Sequence, residues 1–220
     1  MKKIYLIRHA QSNANVDFTH LREIPNPNVD LTEIGYLQAN QSGKFLNKNL
    51  KLEETEKLVI WTSPYYRTRQ TAKVILNNIE HQNISKRESI YLAERQFGLV
   101  EEVEDYQNKY PDHVNHYNFY KNNNVDFFAR PPLGESPFDL ALRVDNFIKT
   151  EINTSPYSNH IIVSHGAAIK AIILMCLRLE YETYQNFINP NNASIILLTK
   201  ENNSDEWTSS NTIFTPDFIT

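Results

Sequence analysis

The stretch "NHIIVSHGAAIKAIILMCLRL", residues 159–179, holds a strand signal and a helix signal back to back. Its first part is short, apolar and rich in β-branched residues, which predicts a buried strand over 159–166. Its second part is an unbroken run of mostly apolar, helix-forming residues, which predicts a helix. A buried strand that passes through one glycine, Gly166, into a buried helix is typical of a parallel α/β sheet.

The alternation of strand and helix continues over most of the chain. Further strands are predicted at 2–9, 57–62, 89–94 and 193–200, with the tail 201–214 turning back as an edge strand. Helices are predicted at 30–49, capped by Thr32 or Asp30, at 63–79, with Ser63 as N-cap, and at 134–149. The pattern predicts an α/β fold, a three-layer α/β/α sandwich with a mostly parallel central sheet.

Residues 100–130 interrupt this rhythm. They are acidic at first and then rich in Tyr, His and Asn, and they are too long for a plain connector. We expect a helical, lid-like insertion over 100–135 that lies across the rim of the sheet. With this insertion included, residues 1–220 are expected to form a single domain.

Composition excludes several classes of function. The 220 residues are 40% hydrophobic and carry a formal net charge of -4. Nucleic-acid binding usually needs a basic face, so a nucleic-acid partner is not expected. No apolar run is long enough for a membrane span or a signal peptide, and a cytoplasmic protein is expected. The single cysteine, Cys176, is expected to be a buried small hydrophobe, and no residue cluster predicts a metal or cofactor. The sequence does not set the oligomeric state.

Polar residues follow four of the predicted strands. They are Arg8-His9, Ser63, Glu94 and His165-Gly166, and Arg67 lies one turn into the helix after Ser63. Each alone is compatible with a structural role. Ligands of parallel α/β sheets bind beyond the carboxyl ends of the strands, so four such ends together predict a site at one rim.

Two histidines, two arginines and one carboxylate suit a tetrahedral dianion. A histidine can attack phosphorus, arginines can neutralise the equatorial oxygens, and a carboxylic acid can protonate the leaving oxygen. Gly166 opens a helix whose free N–H groups form a seat for phosphate. Asn15 could donate to an anion or merely cap a turn, and the residues alone leave this open.

Six segments resemble the blocks of the histidine phosphatase superfamily, the phosphoglycerate-mutase-like proteins, in that family's order. They are "LIRHAQSNAN", "DLTEIGYLQA", "TSPYYRTRQTA", "YLAERQFG", "RPPLGESPFDLALRV" and "IIVSHGAAIKAI", spanning about residue 3 to about residue 199. Two positions depart from the family pattern. Ala10 stands where the family usually has glycine, and Gln11 stands where many relatives have glutamate.

The resemblance implies a role for each matching residue. His9 would be the nucleophile that becomes phosphohistidine, Glu94 the proton donor and Asn15 a phosphate contact. Arg8, Arg67 and His165 would clamp the phosphoryl group. Gly166 and Ala167 would offer backbone groups to the same oxygens.

The family contains phosphatases and mutases, and the insertion favours the former. Cofactor-dependent mutases resembling this chain have paired arginines there. Residues 96–135 contain one arginine, Arg130, and two lysines, beside an acidic run of Glu101, Glu102, Glu104 and Asp105. We therefore expect metal-independent hydrolysis of small phosphorylated substrates, with Arg130 either at the rim, where it would bind substrate, or simply on the surface. The alternatives are a cofactor-dependent phosphoglycerate mutase and a regulatory module that binds a phosphoprotein.

Overall fold

One six-stranded sheet organises the chain, of which the computed structural model describes residues 1–53, 55–123 and 125–217. The sheet order is β3-β2-β4-β1-β5-β6, and among the described strands only β5 runs against the others. The mostly parallel sheet is thereby confirmed, and the tail forms an edge strand as predicted. The strands are β1 (Lys2–Arg8), β2 (Leu58–Thr62), β3 (Ile84–Glu88), β4 (Asn159–Ser164), β5 (Ile195–Lys200) and β6 (Trp207–Phe214).

Helices cover both faces of the sheet. The described α-helices are α1 (Asn13–Val16), α2 (His20–Glu23), α3 (Glu33–Asn49), α4 (Tyr66–Leu76), α5 (Leu99–Glu102), α6 (Tyr106–Lys109), α7 (Pro111–Asn122), α8 (Pro137–Phe147), α9 (Gly166–Leu177) and α10 (Thr183–Asn186). α3 and α4 pack on the face that carries Tyr5 and Ile7, and α8 and α9 on the face that carries Ile4 and Leu6. This arrangement is the predicted three-layer sandwich.

Local sequence explains where two of these helices begin. The Thr32 hydroxyl accepts a hydrogen bond from the Gly35 N–H at 3.0 Å, so Thr32 caps α3. Ser136 and Asp139 form a reciprocal capping box at α8, with Pro137 between them in the first turn. Cys176 is buried in α9, and burial raises the pKa of its thiol to about 12.

Two predictions about elements are wrong. The third strand is residues 84–88, not 89–94, because "ISKRE" forms an exposed edge strand without an apolar pattern, while Ile90–Leu92 is a 3-10 turn that buries only Leu92. The helix predicted at 63–79, with Ser63 as its N-cap, is α4, which starts at Tyr66 with Tyr65 at the N-cap position. The Ser63 hydroxyl binds His165 instead of capping a helix.

The region between Gly98 and Ala129 is helical in its described part. It comprises α5, α6, α7 and a 3-10 turn at Asp126–Phe128. Phe127 is buried against Tyr184, so core packing accounts for at least this ring. The lid-like role of this insertion and the single domain over 1–220 stay predictions. In the described ranges, no helix is both long and apolar enough to cross a bilayer.

Candidate functional site

His9 directly follows the central strand β1 and is 3% exposed. Its Nδ1 lies 2.8 Å from the Ala10 carbonyl oxygen, which only accepts, so Nδ1 carries the hydrogen and Nε2 keeps its lone pair. Arg67 Nε donates to that Nε2 at 3.2 Å. Burial, and then the charges of Arg67 and Arg8, hold the pKa of His9 well below its usual value. The imidazole is therefore neutral at pH 7.

The two arginines surround this imidazole. Arg67, from the first turn of α4, is 5% exposed, and its Nη1 donates to the Asn26 carbonyl at 2.7 Å. Arg8 Nη1 donates to the Pro190 carbonyl at 2.8 Å, while its buried Nε has no partner among the described residues. Desolvation lowers the pKa of both guanidinium groups, which remain cationic at any physiological pH. A buried donor without a partner is costly, and an anion would satisfy it.

His165 is the N-cap of α9 and is fully buried, with its ring 5.2 Å from that of His9. Its Nε2 lies 2.8 Å from Ser63 Oγ, which also accepts the Tyr65 N–H at 3.3 Å. With the hydroxyl hydrogen directed to Nε2, Nδ1 carries the ring hydrogen, and that Nδ1 has no partner in the described structure. Burial, and then Arg67 and His9, keep the pKa of His165 well below 6.5.

Glu94 reaches the same place from the turn after Leu92, not from the end of a strand. Its Oε1 accepts the Arg95 N–H at 2.9 Å, and the Ala167 N–H at the start of α9 also bonds to the carboxylate. Burial raises the pKa of this carboxyl group, against these bonds and the charges of Arg67 and Arg8. Arg143 Nη2 donates to the Glu94 carbonyl at 3.0 Å and fixes the turn.

Gly166 and Ala167 form the first turn of α9, directly after His165. A Cβ on Gly166 would lie 3.2 Å from Asn189 Oδ1 and 3.7 Å from Arg8 Nε, so helix start, loop and arginine are closely packed. The Ala167 N–H of this turn is bonded to the Glu94 carboxylate, and the expected contacts of Gly166 and Ala167 with phosphate oxygens stay predictions.

Asn15 and Arg130 are placed differently. The Asn15 side-chain oxygen accepts the Ser12 N–H at 3.0 Å, which is the turn-capping alternative. Arg130 has a side chain that is 64% exposed and pairs with Asp139 of the α8 capping box. The proposed contacts of both residues with substrate stay predictions.

Sequence reasoning placed Ser63 at the rim without its bond to His165, and it missed two further neighbours of the site. The Asn192 amide donates to the His9 carbonyl at 2.9 Å and to Asn15 Oδ1 at 3.1 Å. The Tyr65 ring lies 4.8 Å from the His165 ring and beneath the Arg67 guanidinium. The only available signals were an asparagine-rich run before β5 and the position of Tyr65 beside Arg67.

The two departures from the family pattern fit their surroundings. Ala10 is buried, its N–H donates to Thr71 Oγ1 at 3.1 Å, and it is not among the described residues with positive φ. Alanine therefore needs no strained backbone here. Gln11 Oε1 accepts the Thr32 hydroxyl at 2.7 Å. The described residues contain no group of three or more His, Cys, Asp or Glu arranged to hold a metal ion.

Comparison with known proteins agrees with this fold. Residues 4–212 match the family model of the histidine phosphatase superfamily, and the chain belongs to that superfamily. The matching model is that of its branch 1.

Curated relatives carry both mutase and phosphatase names. Phosphoglycerate mutase-like protein AT74 of Arabidopsis thaliana is 28% identical over 88% of this chain, which spans 63% of that protein's length. A 2,3-bisphosphoglycerate-dependent phosphoglycerate mutase of Bartonella henselae is 27% identical over 98% of this chain and 99% of its own. Among solved structures, a mycobacterial glucosyl-3-phosphoglycerate phosphatase complexed with VO3 has the same fold, with a TM-score of 0.73 at 21% identity over 96% of this chain and 98% of its own.

Proposed function

We propose that this protein is a metal-independent phosphomonoesterase that hydrolyses small phosphorylated metabolites through a phosphohistidine. One observation supports this above all. The neutral His9 has its Nε2 lone pair directed at Arg67 Nε, 3.2 Å away, and Arg8 Nε and His165 Nδ1 are buried without partners among the described residues. A nucleophile surrounded by donors for equatorial oxygens is the arrangement that phosphoryl transfer needs.

In the first half-reaction, His9 Nε2 attacks phosphorus and a P–N bond forms while the ester P–O bond breaks. Glu94, whose raised pKa favours the protonated acid, gives its proton to the leaving oxygen. Arg8, Arg67 and His165 stabilise the charge on the three equatorial oxygens.

In the second half-reaction, a water molecule attacks the same phosphorus. The Glu94 carboxylate accepts a proton from that water as the P–N bond breaks. Inorganic phosphate leaves, and His9 and Glu94 return to their starting protonation states. The same two groups thus act in both halves.

A mutase would carry out the same first half-reaction as a phosphatase, so we use the insertion to decide between these two activities. A mutase must hold a second anionic group, and the only arginine of residues 96–135, Arg130, is occupied by Asp139. We therefore favour hydrolysis. A binding module for phosphoproteins would not require a neutral nucleophile beside a carboxylic acid.

The first experiment measures phosphate release from p-nitrophenyl phosphate in EDTA and traps the phosphoenzyme by quenching turnover in alkaline detergent. We expect activity to survive the chelator and acid-labile, alkali-stable phosphate to appear on His9. His9→Ala should lose several orders of magnitude in turnover, since the site acts as a unit. Exposed His113→Ala is the matched control. Loss of activity in EDTA with rescue by a divalent cation, or alkali-labile phosphate on serine, would refute the mechanism.

A second experiment separates the two enzyme classes. An enolase-coupled assay of 3-phosphoglycerate isomerisation is run beside phosphate release, with and without 2,3-bisphosphoglycerate. Phosphate release with little isomerisation is expected. Efficient, bisphosphoglycerate-stimulated isomerisation would make the protein a mutase.

A further inference from the structure

Two segments far apart in sequence meet beside Arg67. The loop between β1 and α3 contributes Asn26, whose carbonyl accepts from Arg67 Nη1 at 2.7 Å. Helix α5 contributes Glu101, whose Oε2 accepts from Asn26 Nδ2 at 3.0 Å. Because Arg67 also donates to His9, this pair lies next to the place of phosphoryl transfer, where the rest of a substrate must fit.

The Asn26 amide has a fixed orientation. A carboxylate only accepts hydrogen bonds, so the NH2 group must face Glu101 and the oxygen must point away from it. Asn26 Oδ1 is buried and has no partner among the described residues. Buried acceptors normally have partners, so this oxygen is suited to a hydroxyl donor of a ligand.

Glu101 brings negative charge to the same place. Burial lowers the pKa of Arg67, and the carboxylates of Glu94 and Glu101 act in the opposite direction because they lie close to it. Burial likewise raises the pKa of Tyr65, with Glu94 and Glu101 adding to the rise.

Two other acids of the insertion are engaged with neighbours outside this cluster. Glu104 pairs with Arg22 at 3.0 Å and its side chain is 76% exposed. Asp105 accepts from Asn108 at 2.8 Å. Glu101, in contrast to these two, is bonded to Asn26 beside Arg67.

We infer that Asn26 and Glu101 select the leaving group: the pair favours phosphomonoesters of neutral, hydroxyl-bearing alcohols and discriminates against those that carry a second anion. The inference rests on the proposed phosphatase activity. A carboxylate on the leaving group would meet the partly buried Glu101 carboxylate, and the two like charges would repel each other. A hydroxyl would satisfy Asn26 Oδ1, and sites with a buried acceptor reject analogues that lack the donor.

Glycerol 1-phosphate and 3-phosphoglycerate test the charge, because they share a carbon chain and differ in one terminal group, hydroxymethyl against carboxylate. Wild-type enzyme should have the higher kcat/KM for glycerol 1-phosphate. In Glu101→Gln, the ratio of kcat/KM for 3-phosphoglycerate to that for glycerol 1-phosphate should rise about tenfold. The control Glu104→Gln removes a charge of the same helical region and should leave this ratio unchanged.

Propyl phosphate tests the acceptor, because it lacks both hydroxyls. The wild-type enzyme should have a higher kcat/KM for glycerol 1-phosphate than for propyl phosphate. Asn26→Ala should lose most of that preference, whereas exposed Asn28→Ala should keep it. The inference would be overturned if both variants, Glu101→Gln and Asn26→Ala, fold, still hydrolyse p-nitrophenyl phosphate and keep the wild-type ratios of kcat/KM between the paired substrates. A wild-type preference for 3-phosphoglycerate would also overturn it. Failure of the wild-type protein to hydrolyse any ester would instead refute the proposed function.

Discussion

At the scale of single residues, we expect the Ser63 hydroxyl, 2.8 Å from Nε2, to set which nitrogen of His165 carries hydrogen. Ser63→Ala should lower kcat/KM roughly tenfold, the equivalent of one hydrogen bond, because Nδ1 is then free to lose its proton to Nε2. Ser63→Thr should restore most of the loss, and the pH profile should change only in the alanine variant. Ser194, a buried serine whose hydroxyl has no partner among the described residues, provides the control Ser194→Ala. Equal losses in both variants would contradict a positioning role.

Glu94 has a role that depends on the substrate. An alkoxide needs a proton as it leaves, whereas nitrophenolate hardly does, so Glu94→Gln should slow alkyl phosphates by about 10²–10⁴-fold and p-nitrophenyl phosphate much less. The alkaline fall in activity on alkyl phosphates should also disappear, because burial raises the pKa of this acid and its protonated form is lost as pH rises. Equal slowing of both substrates would point to a structural role. Glu88→Gln, in an exposed ion pair with Arg69, is the control.

At this scale, sequence reasoning identifies the residues of the site better than it identifies their hydrogen-bond partners. The rule that ligands bind at strand ends correctly brings His9 and His165 together, although their catalytic roles stay predictions. It cannot show that Ser63 pairs with His165, because serine before proline equally suits a helix cap. Nor does any local signal reveal that Asn26 meets Glu101, since that contact depends on how two loops fold over the rim.

At the scale of elements, helix α3 touches two neighbours through its two glycines. A Cβ on Gly35 would lie 2.1 Å from the Gln11 carbonyl oxygen, directly after the nucleophile segment, and one on Gly43 would lie 2.9 Å from Asn78 Cβ. Gly35→Ala should therefore reduce the free energy of unfolding by about 1–3 kcal/mol and also lower kcat/KM.

Gly43→Ala is the matched comparison within the same helix. It should reduce the unfolding free energy less, because alanine favours helix by about 1 kcal/mol and the new Cβ would lie 2.9 Å from Asn78 Cβ and 3.0 Å from the Ile75 carbonyl oxygen, a milder clash than 2.1 Å at Gly35. Its kcat/KM should match wild type. Urea unfolding and steady-state kinetics on both variants test whether Gly35→Ala loses more stability and activity than Gly43→Ala. Loss of activity in Gly43→Ala alone would contradict the prediction.

The misplaced third strand shows a limit of pattern reading for elements. "SIYLAE" is apolar and predicts a strand, yet it turns after Ser89, whose N–H donates to the Thr62 carbonyl at 3.0 Å. The true strand, "ISKRE", lies at the edge of the sheet, pairs with β2 and is exposed along most of its length. Edge strands need no apolar alternation, so their sequences do not stand out.

At the scale of the whole molecule, buried neutral histidines make stability depend on pH. His160 accepts from Trp61 Nε1 at 3.4 Å and donates to the Tyr157 carbonyl at 3.0 Å, and burial lowers its pKa to about 4. Below pH 6.5 the unfolded chain binds a proton that the folded chain does not. The free energy of unfolding should therefore fall by roughly 3 kcal/mol between pH 6.5 and pH 4 from this group, and His9 and His165 act in the same direction.

Urea unfolding at a series of pH values measures this slope. His160→Gln should flatten it by removing one proton-binding difference, whereas exposed His113→Gln should not. A slope unaffected by His160→Gln would show that other groups set the acid sensitivity. The two variants are compared by how much their free energy of unfolding changes with pH, not by its value at one pH, because His160→Gln should also lower stability at neutral pH.

The fold class of the whole molecule was accessible from sequence because strand and helix signals alternate so regularly. The order of strands was not, since periodicity says which face of a strand is buried and nothing about which strand lies beside it. That β1 sits between β4 and β5 depends on packing of the entire chain.

The central position of β1 also governs how the chain comes to fold on the ribosome. Lys3 pairs with Asn159 in one ladder and with Thr199 in the other, so β1 emerges long before either partner has been synthesised. Contacts so distant in sequence make folding slow, and the apolar "IYLI" of β1 stays exposed to aggregation or to chaperones in the meantime. Nascent chains that stop before β4 would lack partners for the middle of their sheet rather than for its edge.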